Sequence, residues 1–167
     1  NHSGLNIFAG IPPLDLPTTG RVFFLGNSTT YVPGGVAGVN EAQLGNTPAQ
    51  PFATFDYSVN QCTAGRNDTI VILPGHAETI TTATALALDI AGITVIGLGE
   101  GSNRPTFTVA TAATATITIS AANVTWKNCV VIGNLDGLDS AITVTGADCT
   151  LDLEYRDTSA TVEADTK

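Results

Sequence analysis

The sequence predicts an all-β fold: a short single-stranded right-handed parallel β-helix with an N-terminal extended arm and one short capping helix. Two observations predict it. Beyond residue 80 an internal repeat keeps two strand signals at a fixed spacing, and at Pro51 the chain changes from Gly/Pro-rich to strand-forming segments. We expect residues 1–50 to form an arm and loop with one strand, used for docking, and residues 51–167 to form the capping helix and about four coils.

The repeat consists of three aligned units. Each has Ala, then a residue that tolerates positive φ, then an apolar residue followed by Thr, as in segments 91–96, 122–127 and 147–152. Seven residues before each apolar position stands the first apolar residue of a second strand: Leu86, Ile117 or Ile142. The units are 31 and 25 residues apart at either strand, so the strand spacing holds while the loops vary. An antiparallel sandwich would not keep this offset, whereas stacked coils would.

The N-terminal region is rich in Gly and Pro and has one clear strand signal, Arg21–Leu25, between two glycines. We interpret residues 1–20 as an extended arm and residues 27–50 as a surface loop. The arm has apolar residues without a periodic face, which predicts a segment that becomes ordered on a partner. These candidate docking residues are Ile7, Phe8, Ile11, Leu14 and Leu16.

After Pro51 the spacing of four apolar residues predicts a short helix. They fall three, four and three positions apart and so share one helical face: Phe52, Phe55, Val59 and Cys62. We expect Gly65 to end this helix, and Asn67-Asp68 to open a turn before the apolar strand 69–73, which Pro-Gly ends.

Composition excludes several functions. The net charge is −9 with six basic residues, which argues against nucleic-acid binding. The apolar stretches are short and broken by Thr or Gly, so we expect no transmembrane helix and no membrane partner. Three cysteines form no CxxC motif, and their odd number argues against a disulfide framework; we expect buried reduced thiols.

Four segments resemble the pectin-lyase-like right-handed parallel β-helix superfamily, especially phage structural proteins and tailspikes: 20–24, 51–56, 67–76 and 117–129. The resemblance implies a virion component, at the capsid exterior or the tail. It also implies a homotrimer that binds the major capsid protein or another virion protein, here through the N-terminal arm. Enzymes of this superfamily usually have more coils and an acidic cluster with a basic residue on one long face. The chain stops near its fourth coil, so we expect no catalysis.

Two motifs resemble functional sites, but their sequence context favours structural roles. Gly97–Gly101 follows a strand, but a dinucleotide loop needs a helix directly after it, and Ser102-Asn103-Arg104-Pro105 follows instead; a glycine-rich corner between coils is favoured. His76 and Glu78 are two residues apart and would share one face of a strand, where we expect a hydrogen bond between them. With the other histidine, His2, in the arm, we expect surface polar residues rather than a metal site.

Acidic residues toward the C-terminus raise the question of calcium, which prefers six to eight oxygen ligands. They are Asp136, Asp139, Asp148, Asp152, Glu154 and Asp157. Asp148 occupies a corner, and Asp152 and Glu154 alternate with apolar residues as outward positions of a strand would. A weak calcium site around Asp136 and Asp139 stays open, and we predict no metal or cofactor.

The predicted function is therefore a non-enzymatic structural virion protein, a β-helical capsid decoration or stabilising protein or a tailspike base. One alternative is a polysaccharide lyase or hydrolase fragment, which would need a carboxylate cluster beside Arg104, Lys127 or Arg156. The other is a carbohydrate-binding adhesin module, which would expose a row of aromatic residues. By its alternation with Val124 we expect Trp126 to lie in the core instead.

Overall fold

The computed structural model describes residues 20–82, 85–110 and 112–158. They form a parallel β-solenoid of about three turns with one short helix, which confirms the predicted fold class. The elements are β1 (Val22–Leu25), α1 (Phe55–Asn60), β2 (Thr69–Ile72), β3 (Ala77–Ile80), β4 (Ala87–Leu88), β5 (Thr94–Gly97), β6 (Thr106–Val109), β7 (Ile117–Ile119), β8 (Thr125–Gly133), β9 (Ile142–Val144) and β10 (Thr150–Asp157).

The strands stack in three rows, and each pairing between named strands is parallel. The first row contains β1, β2, β5 and the first halves of β8 and β10. The second contains β3, β6 and the second halves of β8 and β10, and the third contains β4, β7 and β9. Complete coils begin at β2, β5 and β8, and β10 begins a fourth. The predicted number of about four coils therefore includes this last, partial coil.

The aligned repeat units coincide with the strand register. Thr94, Thr125 and Thr150 are direct partners in neighbouring strands, as are Ile117 and Ile142. The residue chosen for its tolerance of positive φ has that backbone in all three units, at φ +76° for Gly92, +57° for Asn123 and +55° for Asp148. Asn67, at φ +61°, adds the first coil to the same series. We call these four residues the corner column.

An aromatic stack fills the interior. Trp126 is fully buried, as predicted. The Phe55 ring lies nearly parallel to it at 5.5 Å, and the Phe107 ring meets it edge-on at 5.4 Å. The indole N–H of Trp126 donates to Cys129 Sγ at 3.2 Å, which satisfies the one polar group of that side chain. Because Phe55 belongs to α1, this stack connects the helix to the third coil.

Helix α1 is shorter than predicted: it contains Phe55 and Val59, whereas Phe52 precedes it and Cys62 follows it. All four spaced residues are buried: Phe52, Phe55, Val59 and Cys62. The helix ends at Asn60, so the prediction that Gly65 ends it is wrong. Gly65 instead has φ +71°, and its N–H donates to Ala91 O beside the corner column. Its positive φ serves the corner rather than a helix end.

The N-terminal segment covers the outer edge of β1. Strand β1 pairs with β2, and on its other side the Phe24 N–H donates to Gly45 O at 2.7 Å while the Phe52 N–H donates to Phe24 O at 2.8 Å. Residues 27–50 form a largely exposed loop, as predicted. The first row therefore begins with an edge at which the backbone of Phe24 is bonded to Gly45 in this loop and to Phe52 just after it.

The glycine-rich segment 97–101 forms a corner, but it lies within one coil, between β5 and β6, rather than between coils as predicted. A single 3-10 turn, Gly101–Asn103, follows it. In the next coil β8 runs continuously through both rows and turns at Asn128, which has φ +57°. The Asn128 side-chain amide donates to Gly97 O and Gly99 O, at 2.9 and 3.1 Å, and so joins the two corners.

Candidate functional site

The pair His76 and Glu78 lies where the second row begins. The side-chain atoms His76 Nε2 and Glu78 Oε2 are 3.3 Å apart, which confirms the expected hydrogen bond. The prediction that both are surface residues is wrong for His76, which is 1% exposed, with its ring against Phe107. The chain turns inward after Pro74-Gly75, so the imidazole packs into the interior. Its Nδ1 is buried without a hydrogen-bond partner.

Glu78 connects this pair to the helix. Its Oε2 accepts a hydrogen bond from the Phe55 N–H at 2.9 Å, in the first turn of α1, where Thr54 makes no side-chain cap. A carboxylate at this position satisfies a free N–H and interacts favourably with the helix dipole. The group that could have served as a catalytic acid or base therefore helps to hold the helix on the solenoid.

Negative charge accumulates around the start of α1. Burial raises the pKa of Asp56, and the charges of Asp89 and Glu78 raise it further, against the lowering effect of hydrogen bonds from the Ala87 backbone and the Asn60 side chain. Within the described ranges, no group of three His, Cys, Asp or Glu residues is placed to hold a metal ion. Of these three carboxylates, Glu78 is the one that caps the helix, through the Phe55 N–H.

Asp68 is a fully buried carboxylate, for which the sequence pattern indicated a turn and nothing more. Its two oxygens accept hydrogen bonds from the backbone N–H groups of Arg21 at 2.7 Å and Thr63 at 2.8 Å. They also accept hydrogen bonds from Arg66 Nε at 2.7 Å and Arg66 Nη2 at 2.6 Å. Burial would raise the pKa of Asp68, but the bonds from Arg66, Arg21 and Thr63 outweigh it and hold that pKa below its usual range. Asp68 thus joins β1, the segment after α1 and the first corner.

The C-terminal carboxylates are not gathered into one site. Asp136 and Asp139 are both exposed in the loop after β8, on either side of the buried Leu138. Glu154 is bound by two guanidinium groups, Arg156 at 2.5 Å and Arg104. Hydrogen bonds from Arg156 and then Arg104 lower the pKa of Glu154 to about 2. This carboxylate is an ion-pair partner at the solenoid surface.

The three cysteines are free thiols, as predicted. Burial raises the pKa of the Cys62 and Cys129 thiols to about 12, which keeps them protonated and poorly nucleophilic at neutral pH. The expectation of burial is wrong for Cys149, which is half-buried because it precedes the last strand.

The last strands, β9 and β10, form what we call the open end. Leu151, Tyr155 and Val144 occupy the register positions of residues buried in the coil below, yet they are 37%, 46% and 44% exposed. Their register partners Trp126, Val131 and Ile119 are fully buried. Within the described part of the chain, β10 pairs with β8 alone and β9 with β7 alone. A ladder of about four coils predicts the unpaired edge after residues 151–155, whereas the strand pattern, which matches the inner coils, does not predict the exposure of these inward positions.

The predicted docking residues of the arm lie outside the described residues: Ile7, Phe8, Ile11, Leu14 and Leu16. Within the described residues, no helix is long and apolar enough to cross a membrane. Comparisons with protein-family models, with curated proteins and with solved structures found no match. The superfamily and phage assignments from the sequence resemblance therefore stay predictions.

Proposed function

We propose that this chain is a non-enzymatic structural component of a virion, a β-helical capsid decoration or stabilising protein or a tailspike base. The observation that supports it most is the use of His76 and Glu78. Of the residues considered as sites, these two come closest to an acid–base pair. Both have structural roles, because the His76 imidazole is 1% exposed and the Glu78 carboxylate accepts a hydrogen bond from the Phe55 N–H. An acid–base pair would need access to a substrate.

The interior supports the same proposal. Its inward positions are filled by apolar side chains, and the aromatic stack of Phe55, Phe107 and Trp126 spans the helix and the coils. Such packing gives a rigid body. Rigid stacked coils suit a protein that reinforces or extends an assembly, because the strand rows keep the ends of the molecule at a fixed separation.

Electron microscopy of virus particles from the source, labelled with gold-conjugated antibody against this chain, tests the proposal. We expect label in a regular array on the capsid or at the tail. Label absent from purified particles, with the protein recovered in the particle-free fraction, would overturn it.

The proposal includes a homotrimer held on its support by the arm, since the apolar arm residues would become ordered on a partner and three copies would offset that entropic cost. Light scattering and particle-binding measurements on the intact chain and on a chain lacking residues 1–19 test this. We expect a trimer, and loss of particle binding on truncation. A monomeric intact chain, or undiminished binding after truncation, would contradict the model.

An assay on acidic polysaccharides tests the non-enzymatic part. With polygalacturonate or alginate, with and without calcium, we expect no unsaturated product. Product absorbance that disappears in the variants Asp136→Asn or Asp139→Asn would show that the chain is an enzyme.

A further inference from the structure

We propose that the open end binds a β-strand of another polypeptide in which apolar residues alternate with basic ones. The strand would pair with β10 and continue the first two rows. This inference concerns a surface separate from the arm and holds whether or not the protein belongs to a virion. Three features support it: the backbone edge, the apolar columns and the charge.

The backbone edge of β10 is eight residues long. The Thr150 N–H donates to Val124 O, and the Thr158 N–H to Gly133 O, so these groups point toward β8. In a parallel pair, alternate residues direct their N–H and C=O groups to opposite sides. Leu151, Leu153 and Tyr155 alternate with these residues and therefore direct their groups away from β8, where an incoming strand would find donors and acceptors.

The apolar columns end unfinished at this edge. Trp126 and Leu151 are register partners, as are Val131 and Tyr155, and exposure rises from zero in β8 to 37% and 46% in β10. A strand with apolar residues at alternate positions would cover both side chains, as β8 is covered by β10. Burying such a surface contributes about 25 cal/mol per Å² of apolar area.

Charge selects the partner. Residues 134–158 contain six carboxylates and one basic residue, Arg156. In the register, Lys127 stands opposite Asp152, so this column already places a basic side chain next to an acidic one in its last two rungs. An incoming strand with a basic residue opposite Asp152 would make the same pairing on the other side. Opposite charges at such cross-strand positions stabilise the pair, and like charges destabilise it.

A second copy of the chain fits this end poorly. Two open ends facing each other would bring their carboxylates together. Stacking head to tail requires a free strand edge at the other end of the solenoid. There the edge of β1 is bonded to Gly45 and Phe52 and the coil is covered by α1. The favoured occupant is therefore a different polypeptide with basic residues.

The test uses the full chain and a fluorescent eight-residue peptide with Val at alternate positions and Lys opposite Asp152, followed by anisotropy. A matched peptide has Glu in place of Lys. We expect the Lys peptide to bind at least about tenfold more tightly, with the difference shrinking in high salt. Methylation of alternate peptide nitrogens, which removes strand donors, should abolish binding.

Two matched variants locate the site. Asp152→Lys should weaken binding of the Lys peptide about tenfold, whereas Asp139→Lys, the same charge change in the exposed loop, should leave binding within about twofold. Equal binding of the Lys and Glu peptides, or equal effects of the two variants, would overturn the proposal. Self-association of the chain through the open end would also overturn it. So would peptide binding seen only after residues 159–167 are removed, because those residues would then be what covers the open end.

Discussion

The two ends of the solenoid are built from the same strand pattern and finished in different ways. At the N-terminal end, α1 and the loop before it cover the first coil, and Phe55 inserts into the aromatic stack. At the C-terminal end, Leu151 and Tyr155 hold equivalent inward positions and stay half-exposed. The ends also contain comparable ion pairs: buried Asp68 with the partly exposed Arg66, and Glu154 with Arg104 at the surface. Strand alternation thus builds a coil, but a separate element has to close it.

The largest expected effect on stability is at Trp126 in the interior, compared with its register partner Leu151 at the open end. Trp126→Ala removes the stacking partner of Phe55 and Phe107 and should lower the free energy of unfolding by about 3–5 kcal/mol. Leu151→Ala, at the register partner, should cost less than half as much, because that side chain is already 37% exposed. Guanidinium unfolding followed by circular dichroism measures both. Equal losses would mean that the last strand is covered in solution.

The second effect concerns the buried carboxylate of Asp68. Asp68→Asn leaves Arg66 and two backbone donors without their carboxylate, which should cost about 3 kcal/mol at pH 7. The variant keeps the size of the side chain, so urea unfolding reports the charge. A loss below about 1 kcal/mol would show that water or other groups replace the carboxylate.

The same variant predicts a pH dependence. Since the pKa of Asp68 is lowered in the folded state, its contribution is complete above its unfolded pKa of about 3.9 and is lost as pH falls through the folded pKa. The stability difference between wild type and Asp68→Asn should stay constant from pH 7 to about pH 5 and shrink below about pH 4. Unfolding curves at several pH values measure it, and a difference unchanged at pH 3 would contradict the assignment.

A smaller effect tests the corner column shared by both ends. Gly92→Val forces a β-branched residue to φ +76° and should cost about 2 kcal/mol. An added Cβ would meet its nearest neighbours at 3.7–3.8 Å, so the cost is conformational rather than steric. Gly92→Asn and Asn123→Gly, which suit such a corner, are the controls and should change the melting temperature little. Equal changes in all three variants would remove the corner assignment.

The smallest effect belongs to the surface pair. Glu154→Gln removes the charge that binds Arg104 and Arg156, but this carboxylate is exposed, so solvent and salt screen the interaction. We expect no resolvable change in melting temperature in 1 M NaCl and a slight decrease at low salt. A decrease as large as that of Asp68→Asn would mean that burial does not distinguish the two ends.

The sequence predicted what depends on neighbouring residues. The Ala–Gly/Asn/Asp–apolar–Thr pattern fixes a corner and the strand after it, so the alignment of Thr94, Thr125 and Thr150 coincides with the strand register. The burial of Trp126 followed from simple alternation in the same way.

Contacts between distant segments could not be predicted. The carboxylate that caps α1 comes from Glu78, 23 residues after Phe55, and nothing near Thr54 indicates it. A histidine after Pro-Gly resembles an exposed turn residue, and its burial depends on the Phe107 ring from the next coil. The strand ladder does predict an unpaired edge after residues 151–155, but it does not predict the exposure of Leu151 and Tyr155, because β10 has the same residue pattern as its predecessors.

The corner between the first and second rows has a practical consequence. The length of this corner differs from coil to coil: eight residues separate β5 from β6, whereas β8 makes a single turn at Asn128. The strands on either side of the corner nevertheless keep their register. The step from third row to first is constant, with Ile117 and Ile142 each eight residues before the Thr of the next coil. Foreign peptide inserted between β5 and β6 would therefore be displayed on the flank of the solenoid while the coils above and below keep their alignment.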